Sequence, residues 1–317
     1  LLLLLASFLS PFSTGSGVAG CMLETDLTAY QPGDVAFVLA TCDGPPAFFR
    51  ARLGAVPIPF FPLPGSTPSA AADSTEPRAL QPWRMGALVG IDLRADPGTA
   101  ELGWTARLGP GAAAARGTTF LTLEPRQFAT QRLSLPRGMV TPDPASLARI
   151  ERERRLMHET LGSSVPERLW HGAFVSPIPG AAGGGFGARR VLNGRPSAPH
   201  SGMDLRGAEG TGVFASNEGI VVLVDTLYFA GKTVVLDHGL GLFTVYNHLS
   251  ARSVVPGDRV ERGQLIGRVG ATGRVTGPHL HWAVHLNGAR VDPISLLAAT
   301  AGRGRHPTEL RPDRPTE

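Results

Sequence analysis

Apolar residues occur along most of this chain in short stretches separated by turns rich in Gly and Pro. Short runs with alternating apolar positions between such turns are typical of β-strands. In the first 136 residues, the stretches predicted as strands are 35–40, 47–53, 87–93, 100–108 and 118–123. Their spacing predicts an immunoglobulin-like β-sandwich. A segment rich in Pro, Ser and Ala at 64–77 interrupts the pattern and is predicted to be a mobile insertion.

A helical pattern replaces the strand pattern in the middle of the chain. Leu147, Ile150 and Leu156 recur among Arg and Glu residues, and Asp143 followed by Pro144 is a typical helix start. The pattern predicts a connecting helix over 145–161 with a polar face. Beyond residue 171 the strand pattern returns, and the predicted strands are 219–225, 232–237, 242–248, 264–270 and 279–286.

These patterns predict a mainly β chain of two domains joined by a helical linker. The composition agrees, because 40 Gly and 28 Pro with only 18% charged residues suit short strands better than long helices. The predicted boundaries are an export signal at 1–20, the β-sandwich at 21–138, a linker with a helix at 139–165, a second β domain at 166–302 and a disordered tail at 303–317.

The N-terminal residues predict export. Residues 1–12 are almost wholly apolar, and a run of that length is too short to span a bilayer, which needs about 20 residues. It fits the apolar core of an export signal, inside which the chain is expected to begin. We therefore expect an exported protein of the periplasm or cell envelope.

Cys21 and Cys42 leave three alternatives open. A hairpin turn at 31–34 would place the two cysteines almost opposite each other, within reach of a disulfide. The sequence Val-Ala-Gly-Cys ending at Cys21 also resembles a bacterial lipobox, which would attach the chain to a membrane through a lipid. The third alternative is two free thiols.

The charge distribution argues against a nucleic-acid partner. The chain has 30 basic and 26 acidic residues, and the basic residues are scattered rather than arranged in a stripe. A net charge of +4 is compatible with retention near a polyanionic wall but indicates nothing more specific.

Five residues in the second domain form a candidate metal site. They are His200, Asp204, His248, His279 and His281. Residues two apart on a strand share a face, so His279 and His281 direct both imidazoles into one space. Both can ligate one metal, or one can ligate while the other serves the bound water. Two imidazoles and one carboxylate make a three-ligand zinc site with a fourth position for water, whose pKa zinc lowers to about 7.

The region from residue 186 to residue 293 resembles the catalytic domain of the M23 peptidases, the lysostaphin and LytM-type group. The motifs that carry the resemblance are His-Ser-Gly-Met-Asp at 200–204, Tyr-Asn-His-Leu-Ser at 246–250, Gly-Gln at 263–264, Thr-Gly-Pro-His-Leu-His at 276–281 and Val-Asp-Pro at 291–293. The resemblance covers about a third of the chain. It implies an antiparallel β LytM-type domain (a duplicated hybrid motif) with a groove along one sheet and zinc at its floor.

The resemblance also implies roles for the five residues. His200, Asp204 and His281 would be the zinc ligands, and His248 and His279 would hydrogen-bond the attacking water and stabilise the oxyanion. One departure concerns a tyrosine that some relatives have shortly before the first ligand. No aromatic residue occurs at 190–199, and Tyr228 or an arginine would have to compensate.

The implied function is a zinc metalloendopeptidase that hydrolyses peptide cross-links of bacterial peptidoglycan, acting as a monomer. Two alternatives stay open: a non-enzymatic LytM-like activator of cell-wall amidases, and a wall-binding module with structural zinc. The cut bond is either glycyl-glycine or D-alanyl–diaminopimelate, and we favour the second because no SH3-type wall-binding segment is recognisable. Whether the N-terminal domain covers the groove also stays open.

Overall fold

The computed structural model describes residues 13–14, 20–64 and 82–301. Strands dominate, as predicted. The strands of the first half are β1 (Ser13–Thr14), β2 (Cys21–Thr25), β3 (Val35–Cys42), β4 (Phe48–Leu53), β5 (Val56–Ile58), β6 (Phe61–Pro62), β7 (Trp83–Gly90), β8 (Gly98–Arg107), β9 (Ala115–Leu123) and β10 (Thr130–Leu133). The helices are α1 (Arg137–Val140), α2 (Pro144–Gly162) and α3 (Pro293–Thr300).

The strands of the second half are β11 (Gly183–Gly184), β12 (Arg189–Leu192), β13 (Arg195–Pro196), β14 (Met203–Arg206), β15 (Gly212–Phe214), β16 (Gly219–Leu227), β17 (Gly231–Asp237), β18 (Leu242–Arg252), β19 (Arg259–Val260), β20 (Leu265–Val269), β21 (His279–Leu286) and β22 (Ala289–Val291). The predicted export signal, the insertion at 64–77 and the tail at 303–317 lie outside the described residues, apart from 13–14, 20 and 64. Within the described residues, no helix combines the length and apolarity needed to cross a membrane.

The N-terminal strands form two antiparallel sheets around one core. One sheet has the order β1-β2-β3-β7-β6, and the other has the order β5-β4-β8-β9. Buried residues of both sheets, among them Val38, Leu102 and Trp104, form a single apolar cluster. If β2 to β9 are taken as strands A, B, C, C′, D, E, F and G, the sheets read ABED and C′CFG, which is the immunoglobulin arrangement. The predicted immunoglobulin-like sandwich is confirmed.

Cys21 and Cys42 are joined by a disulfide in this sandwich. They occupy directly paired positions on β2 and β3, which face each other across a hairpin. Of the three alternatives that the sequence left open, the structure contains the disulfide.

A large antiparallel sheet forms the C-terminal domain. Its main strand order is β11-β14-β21-β18-β17-β16-β19, and β15, β20 and β22 attach beside this path. Even-numbered residues of β21, such as Leu280 and Trp282, are buried in the main core. Odd-numbered residues therefore point to the opposite face, where His279 and His281 lie. One face of the sheet thus serves the core and the other presents side chains to a cleft.

Helix α2 covers part of the cleft-bearing face. Asp143 caps it, because its carboxylate accepts a hydrogen bond from the Ser146 amide at 2.8 Å. The partly buried Leu156, Met157 and Leu161 pack against a small cluster that includes Ala283 of β21. The predicted helix is confirmed, and its charged side is solvated.

The sandwich packs firmly on the C-terminal domain. Val35 and Leu88 belong to the same apolar cluster as Leu286 and Leu296. The Val35 amide donates to Ser295 Oγ at 2.8 Å across this contact. Two ion pairs also join the domains: Arg126 with Asp292 at 2.6 Å, and Arg290 with Asp92 at 2.6 Å. These buried contacts fix the two domains relative to each other.

The segment that leaves the sandwich runs along the cleft. Strand β10 pairs in parallel with β12, so that Thr130 faces Arg189 and Leu133 faces Leu192. The Asn193 side chain holds the far end, accepting from the Leu135 amide at 2.9 Å and donating to its carbonyl at 2.8 Å. Strand β10 belongs to neither sheet of the sandwich. The domain boundaries given above stay a prediction.

A buried polar network lies beneath the large sheet. His238 Nδ1 donates to the Glu218 carbonyl at 2.6 Å, and its Nε2 accepts from the Thr244 hydroxyl at 2.8 Å. The Tyr246 hydroxyl lies 2.9 Å from Thr244 Oγ1 and 3.0 Å from Ser216 Oγ. Complete burial lowers the pKa of His238 to about 4, because the imidazolium form cannot be hydrated there.

This histidine predicts a loss of stability in mild acid. An unfolded His has a pKa of about 6.5, so between pH 6.5 and pH 4 only the unfolded chain takes up the proton. The contribution of His238 to the free energy of unfolding is complete above that window. Roughly 3 kcal/mol of it is lost as the pH falls through the window. Urea unfolding at pH 7 and pH 4.5 should show a smaller pH dependence for His238→Gln than for the native chain. Exposed His158, changed to Ala, should keep the native dependence; equal slopes for native and His238→Gln would contradict the prediction.

Candidate metal centre

Two neighbouring strands bring the predicted metal ligands together. Asp204 on β14 is the direct register partner of His281 on β21, and His200 lies in the extended segment before β14. His200 Nε2 and His281 Nδ1 lie 2.8 Å apart, and each lies 2.9 Å from Asp204 Oδ1. Among the described residues, this is the group of His, Cys, Asp and Glu side chains whose ligand atoms could hold a metal ion.

The hydrogen bonding of His200 supports a cation at this point. Its Nδ1 lies 2.9 Å from the Gly185 carbonyl oxygen, which can only accept, so Nδ1 carries the hydrogen. In the neutral ring Nε2 is then an unprotonated acceptor aimed at a carboxylate oxygen 2.9 Å away. Two acceptors at that distance repel each other unless a proton or a metal cation lies between them. Neutral imidazole nitrogen and carboxylate oxygen are ligands that zinc prefers, so these residues fit zinc.

Asp204 supplies the negative charge. Burial would raise its pKa, but hydrogen bonds from His200 and His281, together with their charges, outweigh burial and hold the pKa of Asp204 well below its ordinary range. Arg190 adds to this environment, with Nη2 3.6 Å from Asp204 Oδ2. The carboxylate is therefore ionised at neutral pH and available as an anionic ligand.

His248 and His279 stand beside this group, and each has its Nδ1 bound to a backbone carbonyl. His248 Nδ1 donates to the Thr272 carbonyl at 2.9 Å, and His279 Nδ1 donates to the Gly277 carbonyl at 2.8 Å. In its neutral form each ring then has Nε2 as the acceptor. The centroids of the two rings are 5.0 Å apart, and His279 Nε2 lies 3.7 Å from Asp204 Oδ1. Backbone carbonyls thus fix two further acceptors next to the candidate metal ligands.

The backbone at His248 is unusual. Its φ is 64°, in the left-handed region that a non-Gly residue seldom adopts. The β17–β18 and β18–β20 pairings both shift register around this position, and the His248 amide donates out of the ladder to Ala230 at 2.8 Å. Such local strain persists where the surrounding structure imposes it, and it is common at functional sites. The bulge directs the His248 ring to the cleft.

The electrostatics of the cleft keep two of its histidines, His248 and His281, neutral. Burial, followed by the charges of His281 and His279, lowers the pKa of His248 to about 3. Burial also lowers the pKa of His281 to about 4, although its hydrogen bond with Asp204 opposes this shift. At neutral pH both rings are therefore unprotonated, as a ligand or a proton acceptor must be.

A cavity opens beside Asp204, His248 and His279. Its walls come from the β10 segment, β12, the loop before β21 and the metal centre itself. The lining residues are Gln131, Leu133, Leu135, Arg190, Leu192, Asp204, His248, Arg274, Val275, Thr276 and His279.

The structure brings all five sequence-predicted residues together at one place, and their individual roles stay predictions. Trp282 packs in the core, on the face opposite His279 and His281. The Tyr228 hydroxyl donates to the Gly138 carbonyl at 3.2 Å, and Tyr228 is not among the residues that line the cavity. Sequence reasoning missed Gln131 as a cleft residue and did not single out Arg190 or Arg274. Nothing in the sequence distinguishes these two among the many arginines.

An antiparallel β domain thus carries a His-Asp-His cluster beside a cleft, and these residues could hold a metal ion. The sequence comparison gives the family of this region: residues 198–293 match the model of peptidase family M23. Both the resemblance stated from the sequence and the predicted LytM-type β domain are confirmed.

Individual relatives extend this result. A Pseudomonas aeruginosa protein whose crystal structure is described as a peptidase M23 superposes with a TM-score of 0.62 at 29% identity, over 86% of this chain and 96% of its own. The peptidoglycan DD-endopeptidase ShyA of Vibrio cholerae is 46% identical over 97 residues. The DD-carboxypeptidase/endopeptidase Mpg of Neisseria meningitidis is 37% identical over 131 residues. The matches cover 31% and 37% of this chain but only 23% and 30% of those two proteins.

Proposed function

We propose that this protein is a zinc metalloendopeptidase that hydrolyses peptide cross-links of bacterial peptidoglycan. The observation that carries the proposal is the convergence of His200 Nε2, Asp204 Oδ1 and His281 Nδ1 within 2.9 Å, beside two further imidazoles that present unprotonated nitrogens. Three protein ligands leave an open position, which is typical of catalytic rather than structural zinc.

His200, Asp204 and His281 would hold the zinc. Zinc in such a site acts as a Lewis acid on the scissile carbonyl and favours ionisation of water near neutral pH. His248 and His279 supply the proton chemistry: Nε2 of either ring can accept the proton of the attacking water. The protonated ring can then hydrogen-bond the oxyanion and return the proton to the leaving amine. Proton transfer of this kind contributes about 10²- to 10⁴-fold to a rate.

The names of the relatives favour one bond. ShyA is described as a peptidoglycan DD-endopeptidase and Mpg as a DD-carboxypeptidase/endopeptidase. We extend this to the present chain and propose the D-alanyl–diaminopimelate cross-link as its substrate. We accordingly propose that the protein is an exported monomer of the periplasm or cell envelope, where the Cys21–Cys42 disulfide would be stable.

A second candidate function is activation of cell-wall amidases without catalysis. Proteins of that kind have lost metal ligands, whereas all five positions are occupied by His or Asp here. The intact ligand set therefore favours the enzyme.

The full chain digesting purified sacculi tests the proposal. We expect about one zinc per chain by elemental analysis and release of un-cross-linked muropeptides detected by mass spectrometry. Removal of the metal by a chelator should stop the release, and added zinc should restore it. Full zinc occupancy without hydrolysis of any sacculus preparation would support the amidase activator instead, and stimulation of a purified amidase would establish it.

A further inference from the structure

Two arginine side chains face the cleft next to the metal centre. Arg190 on β12 and Arg274 in the loop before β21 line the same cavity as Asp204, His248 and His279. The proposed reaction as described above assigns neither of them a task.

The contacts of Arg190 leave part of its guanidinium available. Its Nε donates to Gln131 Oε1 at 3.2 Å, and its Nη2 lies 3.6 Å from Asp204 Oδ2. The second contact is longer than a hydrogen bond. The Asp204 carboxylate also contacts His200 and His281, each at 2.9 Å. Gln131 therefore orients Arg190 in the cleft, but no carboxylate is committed to it alone.

Arg274 has still fewer polar partners. Its guanidinium stacks over the Phe229 ring at 4.1 Å, and its Nη1 lies 3.4 Å from the Met139 carbonyl oxygen. Among the described residues, no carboxylate lies within ion-pair distance of Arg274. Stacking on an aromatic face fixes the plane of a guanidinium and leaves its edge donors free for a ligand.

The two cations also oppose each other. Burial lowers the pKa of both Arg190 and Arg274, although the charge of Asp204 opposes the shift of Arg190, and the positive charge of Arg190 lowers the pKa of Arg274 further. A guanidinium nevertheless stays protonated at neutral pH. Two like charges held in a partly dehydrated cleft are unfavourable alone and become favourable when an anion lies between them.

We propose that Arg190 and Arg274 form a carboxylate-binding subsite beside the metal centre. The ligand is a peptide with a free carboxylate close to the scissile amide. This inference rests on the proposed function and narrows its substrate class. A cross-link to diaminopimelate carries such a carboxylate on the residue whose amino group forms the bond, whereas a glycyl-glycine bond within a bridge carries none. The fork of a guanidinium matches a carboxylate by two parallel hydrogen bonds.

Equilibrium binding separates this subsite from catalysis. The probes are N-acetyl-D-alanyl-D-alanine and its C-terminal amide, titrated by calorimetry into the zinc-loaded full chain carrying His248→Ala to prevent turnover. We expect the carboxylate form to bind about 10- to 100-fold more tightly than the amide, as charge-assisted hydrogen bonds allow. Arg190→Gln and Arg274→Gln should each reduce this ratio by about tenfold, and Arg190→Lys should restore part of it.

Arg195→Gln is the matched control. Arg195 is exposed on neighbouring β13, and its substitution removes the same charge. Zinc content and melting temperature are measured for every variant. These values show whether loss of the Arg190 contact with Asp204 has disturbed the metal site or the fold, as distinct from ligand binding. If zinc alone binds the carboxylate, the ratio of carboxylate to amide affinity should be the same in Arg274→Gln and Arg195→Gln. That result would overturn the subsite. If the full chain binds the carboxylate probe more tightly than the amide but does not hydrolyse sacculi, the subsite stands and the proposed hydrolysis is wrong.

Discussion

His281→Ala is expected to lose its zinc and to release no muropeptides above background. His281 supplies one of three converging ligand atoms, with Nδ1 2.8 Å from His200 Nε2 and 2.9 Å from Asp204 Oδ1. Removing one of three protein ligands leaves two, which is too few for a stable site of this kind. The measurement is zinc per chain after dialysis, together with sacculus hydrolysis by the same sample.

The control for this variant is His158→Ala. His158 is exposed on α2, away from the ligands, and its replacement should leave both zinc content and hydrolysis at native values. The ring of His281 is buried, so its loss also leaves a cavity, and circular dichroism should verify the fold. Native zinc content in folded His281→Ala would show that the metal lies elsewhere.

His248→Ala is expected to keep its zinc and to lose about 10²- to 10⁴-fold in the rate of sacculus hydrolysis. The ring is not one of the three converging ligands, and its Nδ1 is fixed by the Thr272 carbonyl at 2.9 Å. Its function in the proposed reaction is to accept a proton at Nε2, which Ala cannot do. The measurement is the initial rate of muropeptide release at equal zinc occupancy.

His248→Gln is the informative companion. Glutamine can hydrogen-bond a water molecule but cannot accept its proton, so activity as low as in His248→Ala would assign a proton-transfer role. Recovery to near native rates in His248→Gln would instead reduce this residue to a positioning group. Loss of zinc from either variant would contradict the division of roles between ligands and bases.

The local sequence pattern was sufficient to predict the strand that carries two of the site residues. The alternation of His279, Leu280, His281 and Trp282 predicted a strand with two histidines on one face, and β21 has these bounds and that burial. The helix was equally local, because Asp143, Pro144 and the apolar spacing beyond them define α2. The convergence of the five site residues followed from the family resemblance, since strand periodicity alone does not pair β14 with β21.

Contacts between distant segments were not predictable in this way. Strand β10 pairs with β12, whose residues follow it by 59 positions, and the pairing depends on where the sandwich packs. Gln131 and Arg190 meet only because of this pairing. His238 stands between Asp237 and Gly239, a sequence typical of a turn, and its complete burial arises from strands that close over it. Sequence identifies the residue types here, whereas tertiary packing decides their environment.

The pairing of β10 with β12 has a consequence for modularity. The match to the family model begins at residue 198, so it includes the five site residues and excludes Gln131, Arg190 and Leu192. One wall of the cleft is therefore formed by β10 and β12, which both lie N-terminal to the matched region. Exchange of the matched region between relatives, in evolution or in the laboratory, conserves the cleft only if β10 and β12 move with it. The transferable unit is thus defined by the cleft wall and not by the limits of sequence similarity.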